Sequence, residues 1–320
     1  MVAHEENSIF MWLLNENLHE LHGIDIDYTE LDEVLYALSS ILPLSDCVAA
    51  YIKWREKINF DRIQAGLLAL RLPLAKYPKR IGHEVSDESM VEKLEFSEVS
   101  MYCMSLAAKS AQGVVYMALL DIPELVGVIM RIVLELWLKG LLIEHLRHRR
   151  FRVQVENSYY SYASRCKERK DSVAKLLISL LRKAHGIIND EQMVKAIIDT
   201  NTQVFMRDVI YWLRRWGVLP ESFNLLNTWK RLCSEVHGDI LRITQRIVLH
   251  AKALNIIAED FLQLIDICLL ALLNTIDNCC KHKLHKVDND TWQILLRYAN
   301  KGKLNHTRRK LHELRHYINR

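Results

Sequence analysis

Residues 227–239, NTWKRLCSEVHGD, place Arg231 and His237 six positions apart and put Gly238 directly after the histidine. Leu225, Leu226, Trp229, Leu232, Cys233 and Val236 recur at the spacing of one helical face, so the stretch predicts a helix packed firmly on one side. Gly238 fits the left-handed position that ends such a helix, which sets His237 in its last turn. There the helix dipole favours the protonated imidazole and holds its charge closer to neutral pH. On a regular helix Arg231 lies about 9 Å up the axis and roughly 120° around, so only its long stem brings it to the same pocket. Two readings stand at this point: a histidine packed at a helix end, or the working half of a site that cuts RNA. A second pair, Arg309 and His316, lies in the basic C-terminal stretch with no apolar helix around it.

A second ionic group sits in MRIVLELWLKGLL, where Arg131, Glu135 and Lys139 recur every fourth residue. On a helix they form one narrow strip, and Ile132, Val133, Leu134, Leu136, Trp137 and Leu138 fill the rest of the circumference. Such a helix is buried on most sides and its charges need partners. The strip either lines a polar cleft or joins an ion-pair network between packed helices.

RLCSEVH resembles the signature of the HEPN superfamily, an Arg and a His separated by four to six residues. Those are all-helical domains and often metal-independent ribonucleases. MRIVLELWLKGLL, with Arg131 and Glu135, is similar to the first core helix of HEPN-like bundles, where an Arg and a Glu one turn apart face the helix bearing the "LC…H" residues. The resemblance covers two helices and implies a catalytic set of Arg231, His237, Glu135 and Arg131, acting without cofactor or metal. Cleavage by a 2′-hydroxyl attacking its own phosphate needs a proton carrier near neutral pKa and a fixed cation beside the developing charge. In the resembled family His237 carries the proton, Arg231 offers its planar fork to phosphate oxygens, Glu135 orients either of them and Arg131 adds a phosphate contact. The resemblance also implies a homodimer with the cleft at its interface.

Candidate nucleic-acid contacts lie nearby and in the tail. Lys139 continues the strip; HLRHRRFR carries Arg147, Arg149 and Arg150 at a helix end; and Arg308, Arg309 and Lys310 cluster near the C-terminus. NSYYSYASR, residues 157–165, mixes three tyrosines with an arginine, either as half-buried rings or as a stacking surface for unpaired bases. CCKHKLH offers Cys279, Cys280, His282 and His285, but adjacent helical cysteines point about 100° apart and fit one tetrahedral zinc poorly. The chain holds no phosphate-cradling glycine loop, nucleophile elbow or HExxH pair.

The elements that must position these residues are helical. Only 10 Gly and 5 Pro punctuate 320 residues, which excludes the turn-rich sequence of a β fold. Amphipathic segments are expected at about 5–22, 29–41, 44–72 and 88–112, with PLAKYPKRIGHEVSD as a linker between the last two. Further helices are expected over about 121–147, 158–185, 190–200, 203–216, 222–237, 240–281, 290–300 and 304–319. Charge divides the chain the same way: 10 Lys/Arg against 18 Asp/Glu in 1–112, 22 against 18 in 113–280, and 11 against 3 in 281–320. The reading is an all-α multi-helix bundle with three regions. These are an acidic N-terminal helical region, 1–112, able to dock a protein partner; a HEPN-like central bundle, 113–280; and a basic helical tail, 281–320, which is a surface for RNA or another acidic partner, or a solvated arm. Three charges inside the most apolar helix argue against a membrane span. Seven cysteines scattered through apolar runs, and an N-terminus without a basic end and apolar core, suit the cytoplasm.

Overall fold

The computed structural model describes residues 60–74, 90–119, 125–163, 186–200, 204–236 and 250–318. Eleven α-helices run through these residues, with no strand among them. In chain order they are α1 (Phe60–Arg71), α2 (Met90–Lys93), α3 (Glu98–Leu119), α4 (Val126–Arg147), α5 (Arg149–Ala163) and α6 (Asp190–Thr200). There follow α7 (Met206–Arg215), α8 (Leu225–Val236), α9 (His250–Thr275), α10 (Asn289–Lys301) and α11 (Asn305–Ile318). The protein is an all-α multi-helix bundle. The helices expected at 5–22 and 29–41, most of the linker and most of 158–185 lie outside the described residues.

The most extensive helix pairing joins α3 and α4. It is close because Gly140 has no side chain: a Cβ there would stand 3.0 Å from both Ser100 O and Met104 Cγ. Ser100 Oγ donates to Gly140 O at 2.7 Å across the same contact. Val133, Leu134, Trp137, Leu138 and Leu141 of α4 are fully covered, and burying each aliphatic side chain of this size stabilises by about 1.5–3 kcal/mol. α9 crosses the middle of the bundle, packing on α4, α1 and α11. The Trp137 indole donates to Cys268 O at 2.7 Å, which satisfies its one polar atom inside the core.

Two elements differ from the expectation. α3 runs unbroken through Gly113, where the sequence reading places the start of the central bundle. The glycine is accommodated within the helix, and its Cβ position faces Ile129 Cδ1 at 3.0 Å, so the bare backbone admits a neighbouring side chain. Of the long segment expected over 240–281, residues 240–249 lie outside the described residues and α helix runs over His250–Thr275; a π-helical turn, Ile276–Cys280, and a 3₁₀ segment, Lys281–Lys286, follow.

At that change of pitch the bundle holds a buried polar trio. Thr275 Oγ1 donates to Ala271 O at 2.9 Å, so it accepts from His145 Nε2–H at 3.1 Å, and Nδ1 of the imidazole is left facing Cys279 Sγ at 3.6 Å. Trp216 stacks on the imidazole at 5.2 Å and Phe151 meets it edge-on at 4.5 Å. Burial, reinforced by the neighbouring His148 and Arg150, pushes the His145 pKa down to about 3, so the ring is neutral.

The basic tail is no arm. Trp292, Leu295 and Tyr298 of α10 and Thr307, Leu311 and Leu314 of α11 are buried against α1 and α9. Asp266 of α9 caps α11 from outside its own helix, accepting from the backbone N–H of His306 at 3.0 Å and of Thr307 at 2.8 Å. No helix among the described residues is long and apolar enough to cross a membrane.

Candidate functional site

The strip on α4 faces α8, which packs along it. Glu135 Oε1 accepts from Arg131 Nε at 2.9 Å and from the Trp229 indole N–H, also at 2.9 Å; Lys139 Nζ stands 3.7 Å from Oε2. Local sequence explains the meeting. Leu225 and Leu232 are buried on the inner face of α8, and Trp229 lies between them at helical spacing. Burial raises the Glu135 pKa, but the indole, the guanidinium and the ammonium outweigh it, and the carboxyl ends below its ordinary range. Glu135 is therefore a fixed carboxylate at neutral pH, suited to orienting a donor and unsuited to giving up a proton. Cys233 stands close enough to feel both Arg131 and Glu135, and burial raises its thiol.

Arg231 takes a different direction from its neighbour Trp229. Its Nη2 donates to Asp260 Oδ2 of α9 at 2.8 Å. Both partners keep about a third of their side chains in contact with solvent, 38% and 29%, so the pair is a half-exposed link from α8 to α9. Of the four residues that the HEPN resemblance implies, Arg131 and Glu135 are joined directly, and Arg231 is tied to the neighbouring helix. His237 and Gly238 lie outside the described residues.

The nucleic-acid candidates divide by what they touch. Arg147 is a brace: it pairs with Glu144 at 3.1 Å and donates to Ile188 O and Glu95 O, each at 3.2 Å. Lys310 pairs with Asp277 at 2.7 Å, and Lys281 meets the other oxygen at 3.0 Å. Arg149, Arg150, Arg308 and Arg309 are exposed; Arg150 lies over the Phe151 ring at 5.4 Å.

α11 carries more than its arginine pair. With Thr307, Leu311 and Leu314 turned inward, Arg308, His312 and Arg315 line up outside at i, i+4 and i+7, and Arg309 and His316 run beside them. Lys301 and Lys303 stand exposed at the turn leading into the helix, and the exposed acidic residue of the strip is Glu313. The sequence reading missed Arg315 and His312 as members of this strip, although spacing on one helical face was enough to find them. Trp229 and Asp260 are partners made by tertiary packing and leave no local signal.

Cys279 and Cys280 are buried, and burial pushes both thiols up, Cys280 to about 12. His282 and His285 are exposed on the following 3₁₀ segment, so the four side chains diverge. Among the described residues no three His, Cys, Asp or Glu converge as metal ligands. The tyrosines of 157–165 have side chains outside those described. Compared with known protein families, characterised proteins and solved structures, the chain matches none.

Proposed function

We propose that this protein is a helical nucleic-acid-binding module whose interface is the outer face of α11. One observation carries the reading: Arg308, Arg309 and Arg315 are exposed on one surface of a helix bolted to the core, and none forms an ion pair among the described residues. An arginine without a carboxylate partner keeps its fork for phosphate oxygens. Asp266 and Asp277 hold the helix in place through its N-terminus and Lys310, so the array is ordered before ligand arrives. The test is fluorescence anisotropy with a labelled RNA over a range of salt. Replacing Arg308, Arg309 and Arg315 together by Ala is expected to weaken binding at least tenfold and to flatten the log–log salt slope by roughly 2–3. An intact protein with no affinity for RNA at low salt overturns the reading.

The second reading is the metal-independent endoribonuclease of defence type implied by the HEPN resemblance. It is favoured by the direct Glu135–Trp229 bond, which brings the ionic strip of α4 onto the helix bearing Arg231. In this reading Arg231 leaves Asp260 for the phosphate, His237 moves the proton and a second copy of the chain completes the cleft. RNA incubated with the protein in EDTA would yield 2′,3′-cyclic phosphate ends, and His237→Ala with an unchanged circular dichroism spectrum would abolish them. Uncut RNA, or cleavage that survives His237→Ala, removes this reading and leaves the first.

A further inference from the structure

We infer that the α11 face is built for double-stranded nucleic acid, read through its phosphate backbone without regard to sequence. The inference rests on the nucleic-acid-binding reading and adds to it the class of ligand.

Shape is the first argument. Single strands are held in charged grooves furnished with aromatic rings on which bare bases stack. The α11 surface is instead the convex outside of a helix packed at the edge of the bundle, with Leu311 and Leu314 beneath it. The exposed aromatic side chain there is Tyr317, and the Lys281 ammonium covers its ring at 4.0 Å from the centroid. The face therefore offers no open Tyr, Trp or Phe ring, and its uncovered flat groups are the His312 and His316 imidazoles and the arginine forks.

Spacing is the second. Arg308 to Arg315 covers about 10 Å of helix axis at 1.5 Å per residue. Arg309, His312 and His316 widen the strip around the outer surface. A duplex presents about one phosphate charge per 1.7 Å of its axis on a stiff rod, a far denser line of acceptors than a flexible strand holds in place. A fixed cationic row gains most from a fixed anionic row, because neither partner must be ordered on contact.

Rigidity is the third. α11 is pinned at its start by Asp266, and in its middle by Lys310 on Asp277, whose pKa burial raises but Lys310 and Lys281 together bring below its ordinary range. The strip therefore cannot curl around a flexible strand. Of the amide side chains that read adenine in a groove, the described residues of α11 carry only Asn305, at its first turn; the rest of the outer row is Arg and His, whose arginine forks suit phosphate oxygens.

The experiment is competition binding with the full chain. A labelled 20-base-pair RNA duplex is challenged with the same duplex in scrambled sequence and with each of its single strands. The expected result is that the scrambled duplex competes within twofold and single strands at least tenfold more weakly. The double variant Arg308→Ala, Arg315→Ala, whose sites are exposed, is expected to lose most of the duplex affinity while its thermal midpoint stays unchanged. Single strands competing as well as the duplex overturn this inference and leave the nucleic-acid reading in place. Failure of both forms to bind at low salt overturns the two together. Duplex affinity untouched in the double variant shows that the interface lies elsewhere and overturns the assignment of this face.

Discussion

The Trp229 indole and the Arg131 guanidinium donate to the same oxygen of Glu135, each at 2.9 Å, so one carboxylate ties α8 to the strip on α4. Arg131 lies on the same helix as Glu135, and such a pair alone contributes only about 0.3–0.5 kcal/mol. The bond that crosses between helices is the one that matters for packing. Hydrogen bonds to charged groups contribute about 1.5–3 kcal/mol. Glu135→Gln is expected to lower stability by about 1–2 kcal/mol, because a neutral amide oxygen is a weaker acceptor for the indole than the carboxylate and Arg131 also loses its counter-charge. A double-mutant cycle that pairs Trp229→Phe with Glu135→Ala, which removes the acceptor altogether, should return a coupling of at least about 0.5 kcal/mol by urea unfolding. Strict additivity of the two changes would show that the bond contributes nothing.

Much of this fold was legible because helical punctuation is local. The expected segments 190–200, 203–216, 290–300 and 304–319 match α6, α7, α10 and α11 within two or three residues, each having an amphipathic pattern and turn residues at its ends. Gly113 misled because glycine is a weak helix former in isolation, whereas here the side chain of Ile129 lies against its bare backbone. The tail misled for a different reason. Its charge drew attention outward, while Trp292, Leu295, Leu311 and Leu314, fewer but buried, decide where it sits. Half of the candidate site was legible too: Arg131 and Glu135 needed only the helical repeat. Asp260 as the partner of Arg231, 29 positions away, depends on how α8 meets α9, and no spacing rule reports that.

Gly140 sets two opposing effects against each other. In an ordinary helix interior Gly→Ala stabilises by about 1 kcal/mol through propensity. Here the new methyl meets Ser100 O and Met104 Cγ at 3.0 Å and Cys103 Cβ at 3.2 Å, and overpacking of this kind costs about 1–3 kcal/mol. One contact is with backbone, which cannot rotate away. Gly140→Ala is therefore expected to be net destabilising and to spread α3 from α4. A raised unfolding midpoint in the variant would show that the pairing is looser than described.

Asp266 joins stability to the proposed interface. Its Oδ1 accepts from Thr307 N at 2.8 Å and from Thr307 Oγ1 at 2.7 Å, while Oδ2 accepts from His306 N at 3.0 Å. Removing a helix cap costs about 0.5–2 kcal/mol, and leaving buried donors unpaired raises that further, so Asp266→Ala is expected to cost about 2–3 kcal/mol. Hydrogen exchange locates the effect: the amides of His306 and Thr307 should lose protection well before those of α4. If α11 is the nucleic-acid surface, the same variant also loosens the Arg308–Arg315 row and weakens duplex binding without removing a single cation. Unchanged protection at residues 306–307 would detach the cap from both roles.

His145 makes a prediction about acid. Its imidazole is neutral in the folded protein, with a pKa of about 3, because burial strips away the water that would solvate its charge and the neighbouring His148 and Arg150 oppose it further. In the unfolded chain the same ring takes up its proton near pH 6.5. The unfolded state therefore binds the extra proton as the pH falls below 6.5, and folding stability declines until the folded-state value near 3 is reached. Between pH 7 and pH 5, above the range in which carboxylates titrate strongly, this one residue is expected to remove about 2 kcal/mol. Urea unfolding at pH 7, 6 and 5 measures the slope directly. His145→Gln, whose amide can still reach Thr275 Oγ1, starts from a lower stability at pH 7 and should show a flatter profile, with the two curves converging toward pH 5. A variant that keeps the full slope would mean that another group takes up the proton, and would place His145 in a wetter pocket than the stacked Trp216 ring and the Thr275 bond describe.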